Sequence, residues 1–254
     1  MRRRRQQKHQ KPMTTKPHAD IEETYDGEAK PLIEHLRELR TRLFRAVAFL
    51  LVTTLASIFA ADRFLQILTK PLLLPPQAIR PTETIIVYFK VALIMGLAIA
   101  MPEILYEIIA FVTPGLTRKE KRYLFFFLPA AALLFISGVA FGAFVALPAA
   151  LGFLQQFGKS FAEIQWTLDS YISFVTTFLL WLGLGFQTPL VIFTLAKLNI
   201  VRYETLKKNI RWAFLIAAIL AAMITPTPDP FNMMIVAIPL FFLYVFGVFL
   251  ARFA

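Results

Sequence analysis

Six apolar runs divide the chain from Leu43 onward, and they leave little choice of fold. They cover about Leu43 to Ala61, Thr84 to Val112, Tyr123 to Phe153, Ser170 to Ala196, Trp212 to Ile224 and Phe231 to Ala251. A helix rises about 1.5 Å per residue, so roughly 20 residues cross the ~30 Å hydrocarbon core of a bilayer. Five of the runs have that length or nearly so. The fifth in order has 13 uninterrupted apolar residues, about 20 Å of helix, and implies a short arm that thins the bilayer or leans on its neighbours. The TPTPDP stretch after it ends that helix, because its prolines lack N–H donors and push their neighbours into extended geometry.

Composition points the same way. Of 254 residues, 57% are apolar and only 17% charged, with 26 phenylalanines, which leaves too little polar surface for a soluble domain of this size. The expectation is an all-α polytopic membrane protein with six transmembrane helices. Pro102, Pro129, Pro148, Pro189 and Pro239 recur inside the runs. Each is expected to kink its helix, which together makes a curved, concave wall. The apolar LTKPLLLPP stretch before the second run is expected to lie along the outer interface. Residues 1–30 are rich in Arg, Lys, Gln, Pro and His and read as a disordered basic arm, with residues 31–254 as the membrane domain. Arg2 to Arg5 do not mark an export signal, since no apolar h-region follows closely behind them.

Charge sets the orientation. Twenty-two lysines and arginines fall in the stretch up to Arg45, in the loops after the second and fourth runs, and at the C-terminus, against Arg63, Lys70, Arg80 and Lys159 in the opposite loops. By the positive-inside rule both termini are cytoplasmic. The net charge of +11 then reflects basic loops facing anionic lipid and calls for no nucleic acid.

Catalytic chemistry has no candidates. There is no cysteine, and His9, His18 and His35 all precede the first run, which excludes thiolate–metal sites and a Ser-His pair within the membrane. No GxxxxGK[ST] or HExxH motif occurs. Ser137 and Gly138 form a small pair suited to helix packing. The chain is expected to be no enzyme and to carry no cofactor or metal.

Binding is better represented. In HLRELRTR, residues 35–42, Glu38 stands among Arg37, Arg40 and Arg42; in TPGLTRKEKR, Glu120 stands among Arg118, Lys119, Lys121 and Arg122. On a helix Glu38 and Arg42 are one turn apart and can pair. Two readings of Glu38 follow: a surface ion pair on an interfacial helix, worth about 0.3–0.5 kcal/mol, or a ligand contact. Carboxylates held by basic neighbours stay ionised and can grip a guanidinium through parallel charge-assisted hydrogen bonds. Two such acids on one membrane face would select a ligand with paired arginines over one with lysines. Glu103 and Glu107 either add to that surface or snorkel toward the interface.

These features, taken in order, resemble the TatC subunit of the twin-arginine protein translocase. The resemblance runs from about residue 31 to the end through HLRELRTR, KPLLL, AFVTPGLTRKEKR, GFQTPL, TPTPDPF and AIP. It implies a cytoplasmic face that recognises twin-arginine signal peptides on folded cargo, with Glu38 and Glu120 at the signal-binding positions. Phe111 and Pro114 match the apolar, turn-forming part of the second site, and Arg40 and Arg42 the motif's basic positions. Pro71 matches a proline of the first outer loop. Gln187 stands where the family carries Glu or Gln in the fourth segment; as an amide it keeps hydrogen bonding but not charge, and its alternatives are a groove-facing role and helix-to-helix glue. Thr225 matches the meeting place with a single-span partner helix, and Asp229 the acid of the outer turn, where it also suits a helix cap. The resemblance further implies a cytoplasmic-membrane complex with TatA and TatB, driven by the proton-motive force, with this chain in several copies.

The reading from another class is a secondary transporter of a small cationic solute, with Glu103, Glu107 and Gln187 lining its path. Such transporters show repeated halves around a midplane site, and no repeat relates the first three runs to the last three. A membrane insertase would need a hydrophilic groove with a buried basic residue, which the last four runs do not supply.

Overall fold

The computed structural model describes residues 32–72, 75–112, 118–157, 165–225 and 229–253, with the side chains of 32–35, 112 and 118–126 not among them. The basic arm proposed for residues 1–30 lies outside the described residues. The helices are α1 (Leu32–Ile58), α2 (Ala61–Thr69), α3 (Glu83–Val112), α4 (Arg118–Phe141), α5 (Leu147–Gln156), α6 (Leu168–Gly185), α7 (Thr188–Lys197), α8 (Tyr203–Lys208), α9 (Ile210–Ile224) and α10 (Pro230–Ala251). A single parallel bridge between Gln77 and Thr167 is the only extended pairing among the described residues.

Five helical stretches are long and apolar enough to cross a membrane: Leu36–Ile58, Glu83–Phe111, Phe127–Gln156, Leu168–Lys197 and Pro230–Ala251. The fifth apolar run forms α9, which has 15 residues, or about 22 Å of helix. The short arm expected from the sequence is therefore present, and it is the one run that falls below spanning length.

Two helical features extend the picture drawn from the sequence. The helix α1 starts at Leu32, so HLRELRTR forms its opening turns and is continuous with the membrane-crossing part. Past Ile58 the chain re-enters a helix, α2, which buries Ala61 and Leu68, and Leu72 packs on the core behind it. That part of LTKPLLLPP is packed against the protein.

The prolines act unequally. The helices α3, α4 and α10 continue through Pro102, Pro129 and Pro239, whereas Pro148 and Pro189 stand at true discontinuities. Before Pro148 the helix widens into one π turn, Gly142–Ala146, and the Leu147 N–H reaches back five residues to the Gly142 carbonyl. Before Pro189 the fourth span breaks at Phe186 and Gln187. Proline has no N–H to return to the Gly185 carbonyl, and the Thr188 hydroxyl donates to it instead at 2.6 Å.

Helix contacts rest on small residues. At the α1–α3 crossing, a Cβ on Gly96 would sit 2.5 Å from the Thr54 Cα and 2.6 Å from its N, while the Thr53 hydroxyl lies 2.9 Å from the Gly96 carbonyl. Gly138 and Gly142, one turn apart, let α4 and the π turn close on Leu182, Phe186 and Leu179 of the fourth span, and Gly183 receives the Phe135 ring in return. Gly247 of α10 lies against the Pro189 Cα and Ile192. This is the packing that membrane helices favour, because lipid supplies no hydrophobic drive between them and close backbone approach must supply dispersion instead.

At the end of the molecule where α3 and α6 begin, a polar cluster fixes their relative height. Glu83 is buried; one carboxylate oxygen accepts from the N–H groups of Ile79 and Arg80 at 2.9 and 3.1 Å, and the other from the Asp169 N–H at 2.8 Å. Asp169 in turn pairs with Lys90, which also donates to the Ser173 hydroxyl at 2.7 Å. A lysine within an apolar run is thereby neutralised by its neighbour.

Gly96→Leu should force α1 off α3, because the clash is with backbone that cannot yield, and should lower stability by about 1–3 kcal/mol. Gly152→Ala, with nothing within 4 Å of the added carbon, should be neutral or stabilising by about 0.5–1 kcal/mol. Thermal unfolding midpoints in detergent compare the two.

Candidate functional site

Two of the acids singled out from the sequence, Glu38 and Glu107, meet through Arg42 at the opposite end, where α1 begins and α3 finishes. Glu38 and Arg42 lie one turn apart on α1, and the guanidinium Nε and Nη2 approach the same Glu38 oxygen at 3.1 and 2.6 Å. Arg42 also crosses to α3, where its Nη1 donates to Glu107 at 2.9 Å. Arg45 stands 3.8 Å from the other Glu107 oxygen. The side chains of Glu38 and Arg42 are each 20% exposed and that of Glu107 only 5%. Glu107 therefore does not snorkel to the interface. It is buried because α1 packs along α3 and brings two arginines onto it.

The other candidates are distributed as follows. Arg40 is exposed on α1, and Phe111 is half-buried at the end of α3, one turn beyond Glu107. Glu103 is half-buried one turn before it. The backbone of Glu120 lies in the first turn of α4, while its side chain and the whole of Pro114 lie outside the described residues.

Gln187 is 2% exposed, and its amide N–H donates to the Ala131 carbonyl of α4 at 2.9 Å. Its amide oxygen is buried without a hydrogen-bond partner among the described residues. A cavity of about 600 Å³ opens nearby between α3, α4 and α6, with walls such as Ile99, Phe135, Val139 and Leu179 and Thr176 as a polar exception; Gln187 is not part of its lining. Gln187 thus bridges the start of α7 to α4.

Pro71 is exposed just past α2. Thr225 closes α9 and is buried, its hydroxyl donating to the Ala221 carbonyl at 2.7 Å. Asp229 caps α10, accepting from the N–H groups of Phe231 and Asn232 at 3.2 and 3.0 Å. Ahead of Thr225, α9 has opposite faces: Ala213, Ala217 and Ala221 are buried, while Trp212, Ile216, Ile219 and Met223 are exposed.

Glu107's role escapes sequence reasoning because its partner lies 65 positions away. The alanines of α9 were legible from their four-residue spacing, as were Gly138 and Gly142.

A family model described as Sec-independent protein translocase protein (TatC) matches residues 34–239. The chain belongs to the TatC family. Among its relatives, the Sec-independent protein translocase protein TatC of Carboxydothermus hydrogenoformans is 38% identical over 89% of this chain and 95% of that protein. The Deinococcus radiodurans TatC is 36% identical over 87% and 86%. A chloroplastic TATC of Arabidopsis thaliana is 34% identical over 91% of this chain and 69% of its own length. A crystal structure described as the twin arginine translocase receptor TatC superposes with a TM-score of 0.72 at 33% identity, covering 86% of this chain and 98% of that one. The TatC membership makes this chain a subunit of the twin-arginine translocase and removes the solute-transporter reading.

Asp229→Ala should lower stability by about 1 kcal/mol through loss of the α10 cap, with Asp229→Asn retaining most of it. Chemical or thermal unfolding of the purified variants in detergent would show the ordering.

Proposed function

We propose that this TatC-family chain is the receptor and core subunit of its translocase. It binds the twin-arginine signal peptides of folded cargo on its cytoplasmic face. The observation that carries this reading is the cluster at the start of α1: Glu38 already holds a guanidinium there, at the end of the molecule from which α4 and Glu120 also begin. Such a carboxylate is matched in charge and geometry to an arginine side chain. Glu38 and Glu120 receive the two signal arginines, Arg40 and Arg42 frame the first acid, and Phe111 and Pro114 supply the apolar edge of the second.

The remaining assignments follow from charge and from the family. The excess of lysine and arginine on one set of loops puts both termini and this site in the cytoplasm, and α9 makes the sixth crossing as a short arm of a hairpin with α10. The exposed face of α9, with Thr225, Asp229 and Pro71 near its outer end, receives the single-span TatA and TatB subunits. The chain sits in the cytoplasmic membrane in several copies. Transport work comes from the proton-motive force, and this subunit catalyses no reaction of its own. Gln187 serves by joining α7 to α4 and not by ionising.

A fluorescent twin-arginine signal peptide should bind the purified protein and be lost by the double variant Glu38→Gln, Glu120→Gln, while membrane insertion and detergent-solution behaviour stay as in the parent. A twin-lysine peptide should bind at least tenfold more weakly, since an ammonium cannot make the paired contacts. Undiminished capture by the double variant would sink the assignment.

A further inference from the structure

We propose that Arg42 is a built-in occupant of the Glu38 site: it fills the carboxylate when no ligand is bound, an incoming arginine must displace it, and Glu107 retains it once displaced. The inference rests on the assignment of Glu38 as a signal-arginine contact.

The geometry divides the Arg42 guanidinium into two separable holds. Its Nε and Nη2 edge faces Glu38 at 3.1 and 2.6 Å, and this is the edge with which a guanidinium usually meets a carboxylate. The remaining donor, Nη1, belongs to Glu107 at 2.9 Å. Glu107 is on a different helix, is nearly enclosed and is the better fixed of the two acids. Arg42 can therefore surrender Glu38 without becoming a cation with no counterion in a partly buried site, the outcome that makes removal of an ion-pair partner costly. A lone Glu38–Arg42 pair would offer no such refuge.

The consequence is a threshold. Both Arg42 contacts fall on Glu38 Oε1, so an arginine that needs this oxygen has its intrinsic affinity multiplied by the fraction of sites Arg42 leaves open. The tethered occupant taxes every ligand alike. A ligand with two arginines keeps a useful affinity after that reduction, while weaker cations fall below it. The ratio of two ligands' affinities is left unchanged, and the competing contact instead sets how tightly a ligand must bind to be captured at a given concentration.

The test compares Arg42→Gln with Arg45→Gln, which removes an equal charge three residues along without touching Glu38. Binding of a fluorescent twin-arginine peptide and of its twin-lysine counterpart is measured on the full chain in detergent. Arg42→Gln should tighten both peptides by the same factor, about tenfold for loss of one charge-assisted competitor, and Arg45→Gln should change them less than about twofold. Arg42→Lys, which keeps the charge but holds Glu38 by a single point, should give an intermediate gain and serves if the glutamine variant does not fold. Equal effects of the Arg42 and Arg45 variants, or weaker binding on loss of Arg42, would overturn the proposal. Loss of capture in Glu38→Gln alongside such a result leaves the receptor reading standing and removes only the occupant; undiminished capture in Glu38→Gln removes both.

Discussion

A backbone inside hydrocarbon must satisfy its own hydrogen bonds, and the rest of the structure follows from that demand. Each unpaired N–H or C=O there costs several kcal/mol in rough terms, so spanning segments become helices. The demand is also visible where helices falter. At Pro189 the missing donor is replaced by the Thr188 hydroxyl, which takes the Gly185 carbonyl. At Pro148 the preceding turn widens so that Leu147 can bond to Gly142. The break beside Gln187 is stabilised further because its side chain ties the new helix start to the Ala131 carbonyl on α4.

Satisfied helices still need a reason to stay together, and glycine supplies it. Where Gly96, Gly138, Gly142, Gly183 and Gly247 stand, neighbouring backbones or rings approach to distances that a Cβ would forbid. Those approaches fix the separation and rotation of α1 on α3 and of α4 on the fourth span. The same helix pair that is seated at Gly96 brings Arg42 to Glu107 at its end. The packing in the middle of the membrane thus sets which charges meet at its edge.

The two ends of the molecule use charge differently. At the end where α3 and α6 begin, Glu83 is saturated by three backbone N–H groups and Asp169 by Lys90, an arrangement that locks two helix starts and offers nothing to a ligand. At the other end one arginine is divided between two carboxylates on different helices, an arrangement that can be rearranged without stranding a charge. The first suits a fixed frame and the second an exchangeable contact.

Apolar length and the spacing of prolines and basic loops determined by themselves that this chain is a helical membrane protein with a short penultimate arm. The family motifs were equally local, since HLRELRTR and TPTPDPF are contiguous stretches that any reader of the sequence can see. Even Glu38 with Arg42 was legible, being one helical turn apart. What the tertiary structure alone decided is which distant groups converge. Glu107 looked like an interfacial acid until α1 packed on α3 and buried it under Arg42. Gln187 stood between two roles until the break before Pro189 aimed its amide at Ala131, and Lys90 and Asp169 had no visible relation until the starts of α3 and α6 were brought side by side. Periodicity encodes what lies along one helix, whereas contacts between helices depend on crossing points: small-residue spacing marks a face that can pack closely but does not say which helix will meet it.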